Sequence, residues 1–128
     1  MPSERPPVDR RKLDLGAMGE DLAVAWYTRH GYQVLGRNWR CRDGELDLVV
    51  SRDSCVVFCE VKTRSGTGFG LPAEAVTSEK QRRLRRLATR WLGERTASGG
   101  FAEVRFDVAC VTLRAGAEPA LDVIEAAF

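Results

Sequence analysis

Two neighbouring runs of strand-forming residues carry charged side chains where a buried sheet would carry only apolar ones. The first run, GELDLVV, contains Asp47, and the second, CVVFCEVKTR, contains Glu60 and Lys62. The three residues Arg52–Ser54 join the runs, which is short enough for a β-hairpin. Buried charges are costly unless they are paired, hydrogen-bonded or bound to a metal. The hairpin therefore either presents these charges to solvent or builds a site from them.

The geometry of a hairpin brings two of these charges together. Side chains alternate along a strand, so Glu60 and Lys62 project from the same face. If the chain turns around residues 52 to 55, Asp47 falls roughly opposite Glu60, with Cβ atoms about 5 Å apart. Two carboxylates at that separation repel each other, and a divalent cation between them removes the repulsion. Mg²⁺ prefers oxygen ligands and is often held by one or two carboxylates, waters and a phosphate.

The residues alone leave a second interpretation open with equal weight. Lys62 can neutralise Glu60 on a solvated face of the strand, because structural ion pairs also place opposite charges together. In the metal-site interpretation, Lys62 would instead orient or deprotonate the attacking water, or neutralise charge at a scissile phosphate. Glu20, on a preceding helix, is then a candidate outer ligand that acts through water.

Periodicity predicts a chain order of helix, three strands, helix and two strands. This order is typical of an α/β sandwich with one central mixed five-stranded sheet flanked by helices. The predicted helices cover about 15–30 and 78–92, the strands cover 32–39, 45–51, 55–63, 104–113 and 120–125, and flexible loops cover 65–72 and 96–100.

The first helix carries apolar residues on more than one face. Five of them recur at helical spacing and are predicted to face the core: Leu15, Met18, Leu22, Ala25 and Trp26. Glu20 lies outside this stripe, among the small or apolar residues Gly16, Ala23, Val24 and Tyr27. A carboxylate in that company is predicted to be a surface residue or the wall of a cleft.

The length of 128 residues fits one domain, predicted at 14–128 after a disordered basic arm at 1–13. No apolar run is long enough to span a bilayer, and the first residues have no apolar stretch typical of a secretory signal. We therefore expect a cytoplasmic protein without a membrane partner. Its four cysteines form no C-x-x-C pair, so the spacing does not favour zinc.

Five ordered segments carry a resemblance to a known family. They are GAMGEDLAVAWYTRHGYQVLGRNWR, GELDLVV, VFCEVKTR, AVTSEKQRRLRRLATRWL and RFDVACV, which cover most of residues 16 to 111. Asp47 followed by Glu60-Val61-Lys62, after a helix carrying Glu20, resembles the PD-(D/E)XK nuclease pattern. The chain as a whole resembles the YraN family of small, largely uncharacterised bacterial proteins. Leu46 stands where the pattern's proline would precede Asp47, a position at which that proline is commonly lost.

The resemblance implies a restriction-endonuclease-like α/β fold and a nuclease-type site made of Glu20, Asp47, Glu60 and Lys62, with Mg²⁺ or Mn²⁺ on Asp47 and Glu60. Gln81 matches a polar position that often accompanies this site in Holliday-junction-resolvase-like relatives. A helix-capping role for Gln81 is an equal alternative. Junction-acting relatives are often dimers, so the resemblance also allows a homodimer.

The second predicted helix is strongly basic, which favours a nucleic-acid partner. Arg and Lys make the phosphate contacts that supply most non-specific affinity, although a basic face is often only the solvated side of an amphipathic helix. The candidate contacts are Lys80, Arg82, Arg83 and Arg86, with Arg40 and Arg64 beside the proposed site. We expect DNA in preference to RNA. A metal-dependent DNA nuclease is the leading hypothesis; a non-catalytic nucleic-acid-binding module and a protein-interaction domain are the alternatives.

Overall fold

Two helices and five strands make up the structure, a computed structural model that describes residues 10–65, 76–95 and 100–128. In chain order they are α1 (Arg10–Arg29), β1 (Gln33–Cys41), β2 (Gly44–Arg52), β3 (Cys55–Ser65), α2 (Ser78–Gly93), β4 (Glu103–Leu113) and β5 (Ala120–Ile124). This confirms the predicted α/β fold and its element order.

The strands form one mixed sheet in the order β1-β2-β3-β4-β5. Three neighbouring pairs are antiparallel, and β3 and β4 are parallel, as a crossover through α2 requires. The two helices cover opposite faces, because α2 packs with one buried cluster of sheet residues and α1 packs with another. The sheet is therefore buried on both sides, and its polar positions stand out.

Helix α2 buries one stripe of apolar residues at helical spacing. Leu84, Leu87, Ala88 and Trp91 are buried against β2, β3 and β4, as the i, i+3, i+4, i+7 spacing requires. Thr77 caps the helix, because its Oγ1 accepts a hydrogen bond from the Lys80 backbone N–H at 3.2 Å. The cap satisfies one of the free backbone N–H groups in the first turn of α2.

Helix α1 buries a different face from the one that its apolar stripe predicts. Met18 is 41% exposed, whereas Ala23 and Tyr27 are completely buried against the sheet. The small residues Gly19 and Ala23 let the helix approach β3 closely, so the face next to Glu20 packs inward. The prediction is therefore wrong at Met18, whereas Trp26 packs against the buried cluster as predicted, and Glu20 is brought toward the sheet.

The bounds of α1 also differ from the prediction, since the helix begins at Arg10 and includes residues 10–13 of the predicted arm. Residues 1–9 of that arm, most of the predicted loop at 65–72 and residues 96–99 of the second loop lie outside the described residues. Neither described helix is long and apolar enough to cross a membrane.

A buried aspartate joins α1, β4 and the segment after β5. Asp107 is 0% exposed and accepts hydrogen bonds from the Tyr27 hydroxyl at 2.6 Å, from Arg105 at 2.8 and 2.9 Å, and from the Ala126 N–H at 3.0 Å. Arg105 also donates to the Tyr32 hydroxyl at 2.9 Å. Burial holds the pKa of Tyr27 far above its usual range, so Tyr27 stays a donor. This network ties α1 and the segment after β5 to the sheet.

Candidate active site

Asp47 lies where β2 and β3 stop pairing. Their ladder runs from Arg52 opposite Cys55 to Leu48 opposite Cys59, and the next facing pair would be Asp47 and Glu60. Instead, the Asp47 carboxylate accepts a hydrogen bond from the Val61 N–H at 3.0 Å. A side-chain oxygen thus takes the place of a strand carbonyl and holds the carboxylate between the two strands.

Asp47 and Glu60 line the same cleft, between the sheet and the start of α2. The cleft has a volume of about 260 Å³ and is lined by Gly44, Glu45, Asp47, Glu60, Lys80, Arg83 and Leu84. Burial, and next the charge of Glu60, raise the pKa of Asp47 to about 7, although the Val61 hydrogen bond acts in the opposite direction. The Glu60 charge is therefore close enough to oppose ionisation of Asp47.

Glu20 approaches Asp47 from the α1 side. A second depression of about 350 Å³ is lined by Leu15, Gly16, Glu20, Asp47, Val61 and Thr63. The Glu20 side chain is 15% exposed; it accepts a hydrogen bond from the Asn38 amide at 2.9 Å and lies 3.6 Å from Arg37. Asn38 adopts a φ of 51°, a backbone conformation that asparagine tolerates better than most residues. Glu20 thus borders Asp47 but not the Glu60 cleft.

Glu60 is already paired with a lysine of α2. The Lys80 ammonium lies 2.5 Å from Glu60, and their side chains are 23% and 10% exposed. The sequence predicts that Lys80 contacts nucleic acid, and the structure places it against a candidate metal ligand instead.

The remaining predicted site residues, Lys62 and Gln81, are not among the residues that line this cleft. Lys62 is half-buried and forms no ion pair with any residue that the structure describes, so it does not neutralise Glu60. The Gln81 amide donates to the Val76 carbonyl at 3.2 Å, just before α2. This contact is not a helix cap, because the free backbone groups at a helix N-terminus are N–H donors and Thr77 is the capping residue.

The donor set suits a hard cation with few protein ligands. Within residues 10–65, 76–95 and 100–128, no group of three or more His, Cys, Asp or Glu side chains is arranged to hold a metal ion. Asp47 and Glu60 supply two carboxylates to one cleft, which is the number that commonly holds Mg²⁺ together with waters and a phosphate. The chemistry of these donors therefore fits Mg²⁺ or Mn²⁺.

Two of the predicted nucleic-acid contacts, Lys80 and Arg83, line the Glu60 cleft. Arg82, Arg83 and Arg86 are exposed, and none of them forms an ion pair with a described residue. Arg40, in the β1–β2 hairpin, is exposed and pairs with Glu45 at 3.1 Å, and Arg64 is half-buried on β3. Among these side chains, Arg83 belongs to the lining of the cleft.

Gly19 lets α1 pass directly over the strand that carries Glu60. A Cβ atom at Gly19 would lie 2.1 Å from the Thr63 Oγ1, a distance that real contacts do not reach. That hydroxyl is buried and has no hydrogen-bond partner among the described residues. Close approach of the helix at Gly19 therefore sets the distance between Glu20 and Asp47.

We predict that Gly19→Ala lowers the free energy of unfolding by about 1–3 kcal/mol, because the added methyl overpacks this contact. Adding Thr63→Ala should restore most of the loss, whereas Thr63→Val, which keeps a heavy atom in that place, should not. Gly16→Ala is the matched control, since a Cβ there meets nothing within 4 Å and alanine favours the helix. Urea denaturation measures all four variants, and equal stability of Gly19→Ala and Gly16→Ala would contradict the prediction.

Three residues beside the site were missed as site residues in the sequence: Arg37, Asn38 and Thr63. Nothing local marks them, because each acquires its role through a contact with an element distant in the chain. Lys80 carried one signal, since it is the only lysine in α2, whose other basic residues are all arginines.

The comparisons with known proteins match this chain to one protein family. The profile of "Uncharacterised protein family UPF0102" matches residues 19–111. A UPF0102 protein of Rhodococcus opacus is 48% identical over 116 residues, which are 91% of this chain and 97% of that protein. A UPF0102 protein of Beutenbergia cavernae is 54% identical over 109 residues, covering 84% and 91% of the two chains. The matched region includes Glu20, Asp47, Glu60 and Lys62.

Proposed function

This chain belongs to the uncharacterised protein family UPF0102, the YraN family, and from that premise and the geometry around Asp47 we propose that it is a metal-dependent nuclease. Its substrate would be DNA in preference to RNA, including branched or otherwise structured DNA. Asp47 and Glu60 would hold Mg²⁺ or Mn²⁺.

One observation carries the proposal: two carboxylates share a partly buried cleft without a shared positive partner. Lys80 pairs with Glu60, but Asp47 forms no ion pair with a described residue and its pKa is raised to about 7. Such an arrangement is unfavourable for a purely structural role, because burial and the Glu60 charge both oppose ionisation of Asp47. A strongly perturbed acid in a cleft supports a functional role.

Each residue of the site would have a distinct role in phosphodiester cleavage. Asp47 is fixed by its bond from Val61, and Glu60 faces it, so both can bind a cation without rearranging the strands. A bound divalent cation would stabilise negative charge on the phosphate and lower the pKa of water. Lys62, which has no ion pair with a described residue, would neutralise negative charge at the phosphate, or would orient or deprotonate the attacking water. Glu20 would support the cation through water.

The test is cleavage of a panel of labelled substrates by the full chain. The panel contains duplex, single-stranded, flapped and four-way-junction DNA with matched RNA, each in Mg²⁺, in Mn²⁺ and in EDTA. The proposal expects cleavage of at least one DNA substrate that requires a divalent cation and disappears in Glu60→Gln. Metal-dependent cleavage that persists undiminished in Glu60→Gln would remove this assignment.

A nucleic-acid-binding module without turnover is the second candidate. The exposed arginines of α2 favour it, because Arg82, Arg83 and Arg86 have no ion pair with a described residue and remain available to phosphates. This candidate expects salt-sensitive binding with no cleavage of any substrate in the panel.

We predict that Arg82→Glu combined with Arg86→Glu weakens DNA binding at least tenfold near 0.1 M salt. Two lost phosphate contacts should also reduce the slope of log K against log salt by about 2. The control is Arg29→Glu, which reverses one charge on an exposed residue in the last turn of α1. It is compared with Arg82→Glu and with Arg86→Glu, each made alone. Fluorescence anisotropy measures affinity and slope, and an equal loss in Arg29→Glu would assign the effect to net charge rather than to α2.

A further inference from the structure

The Glu60 carboxylate is not free in the cleft, because it forms an ion pair with Lys80. The ammonium lies 2.5 Å from the carboxylate oxygen, and both side chains are largely removed from solvent. An exposed ion pair of this kind would contribute little, but this one lies within the lining of the cleft beside Asp47. The pair therefore affects what else Glu60 can bind.

The position of Lys80 is fixed by the start of α2. Its backbone N–H donates to the Thr77 Oγ1 in the cap of the helix, and its side chain extends from that first turn to β3. Asp47, on the other side of the cleft, has no ion pair with a described cation. Of the two candidate metal ligands in the cleft, Glu60 is therefore compensated and Asp47 is not.

A divalent cation shared by Asp47 and Glu60 would need the oxygens that the ammonium now contacts. Two cations at one carboxylate repel each other in a partly buried site. Resting on the proposed function, we propose that Lys80 is a built-in competitor of the metal: it holds Glu60 in the metal-free protein and leaves that carboxylate when a divalent cation binds.

The exchange changes the charge of the cleft. Lys80 is tethered to α2, so its ammonium stays near the cleft after it leaves Glu60, and the bound cation adds two positive charges. The cleft then attracts a phosphodiester more strongly than it does in the metal-free protein. Metal binding and DNA binding become coupled, and the coupling is reciprocal.

Calorimetric titration of the full chain with Mn²⁺ tests the competition directly. Lys80→Met should bind Mn²⁺ about tenfold more tightly than the wild type, because Glu60 no longer exchanges one cation for another. Arg83→Met is the matched control: it removes one positive charge from the lining of the same cleft, but Arg83 has no ion pair with a described residue. The control should change the affinity by less than about threefold.

The outcomes separate this inference from the proposed function. If the wild type binds Mn²⁺ and Lys80→Met binds it equally or more weakly, the competition is overturned and the metal site stands. If none of the three proteins binds Mn²⁺, both ideas are overturned. Lys80→Gln gives the same comparison if Lys80→Met does not fold.

A second measurement needs no substitution at Lys80. Acylation of the Lys80 amine, followed by peptide mass spectrometry, should become at least several-fold faster in the wild type when Mg²⁺ is added, because release from Glu60 frees the amine. Asp47→Asn, which lacks one of the two metal carboxylates, should show no such increase. An Mg²⁺-independent rate in a wild type that binds Mg²⁺ would overturn the inference.

Discussion

Replacing Asp47 with asparagine is expected to reduce cleavage about a thousandfold and, in the metal-free protein, to raise the free energy of unfolding above pH 7. A thousandfold loss corresponds to about 4 kcal/mol of transition-state stabilisation, within the range that a metal ligand supplies. Asparagine keeps an oxygen that can accept the Val61 hydrogen bond, so the strands should not move.

The stability effect follows from the raised pKa of Asp47. The folded protein keeps the Asp47 proton up to about pH 7, whereas an unfolded aspartate loses it near pH 4. Between these values the folded state binds more protons, so the free energy of unfolding falls as pH rises. The stabilisation is complete below pH 4 and lost above pH 7. The asparagine side chain of the Asp47→Asn variant would mimic the protonated acid and avoid this loss, which is on the order of 1–4 kcal/mol.

Urea denaturation in EDTA at pH 5, 6.5 and 8 measures this effect. The advantage of Asp47→Asn over the wild type should be smallest at pH 5 and largest at pH 8, and Mg²⁺ should stabilise only the wild type. Asp122→Asn, on an exposed position of β5, reports the general effect of removing one negative charge. A pH-independent difference between Asp47→Asn and the wild type would contradict the raised pKa.

Asp107→Ala is expected to lower the free energy of unfolding by about 3–5 kcal/mol, without involving the cleft. Removing the carboxylate leaves Arg105 without its ion-pair partner and leaves the Tyr27 hydroxyl and the Ala126 N–H without an acceptor. Breaking a buried pair costs more than the pair itself contributes, because the remaining charge stays partly buried. Typical domains have only about 5–15 kcal/mol of stability, so the loss is severe.

Thermal and urea denaturation check this prediction, which corresponds to a fall in Tm of roughly 10–20 °C. Asp122→Ala, an exposed aspartate on the neighbouring strand, is the control and should stay within about 0.5 kcal/mol of the wild type. Asp107→Asn should fall between the two, since its amide can accept hydrogen bonds but cannot neutralise Arg105. A loss below about 1 kcal/mol in Asp107→Ala would show that the network is not a major source of stability.

Asp47→Asn tests a proposed metal ligand, whereas Asp107→Ala tests a residue that stabilises the fold. Asp47 lies in a cleft where its charge opposes stability, and Asp107 lies in a network where its charge is fully matched. The same residue type therefore has opposite effects on the free energy of unfolding at two places on one sheet. The difference depends on the surrounding donors: one backbone N–H at Asp47, against a guanidinium, a hydroxyl and an N–H at Asp107.

Local sequence patterns were sufficient to predict the order of helices and strands and part of the candidate site. The i, i+3, i+4 spacing of α2 predicts its buried face because a single clean stripe leaves only one way to pack. Alternation along β2 and β3 and the short turn between them predict that Asp47 and Glu60 share a cleft, since register and face are both set by the hairpin. The family resemblance covers the same segments.

Contacts between elements that are distant in the sequence determined the packed face of α1 and the partners of the site residues. The apolar residues of α1 surround much of the helix, so its sequence allows several packed faces. The small side chains of Gly19 and Ala23 select the one that brings Glu20 toward the sheet, because only there can the helix approach β3 closely. The pairing of Lys80 with Glu60 likewise depends on where the crossover sets the first turn of α2. The sequence by itself determined which residues could form the site; the tertiary structure decided their partners, because charge pairing and close packing depend on distances that local periodicity does not fix.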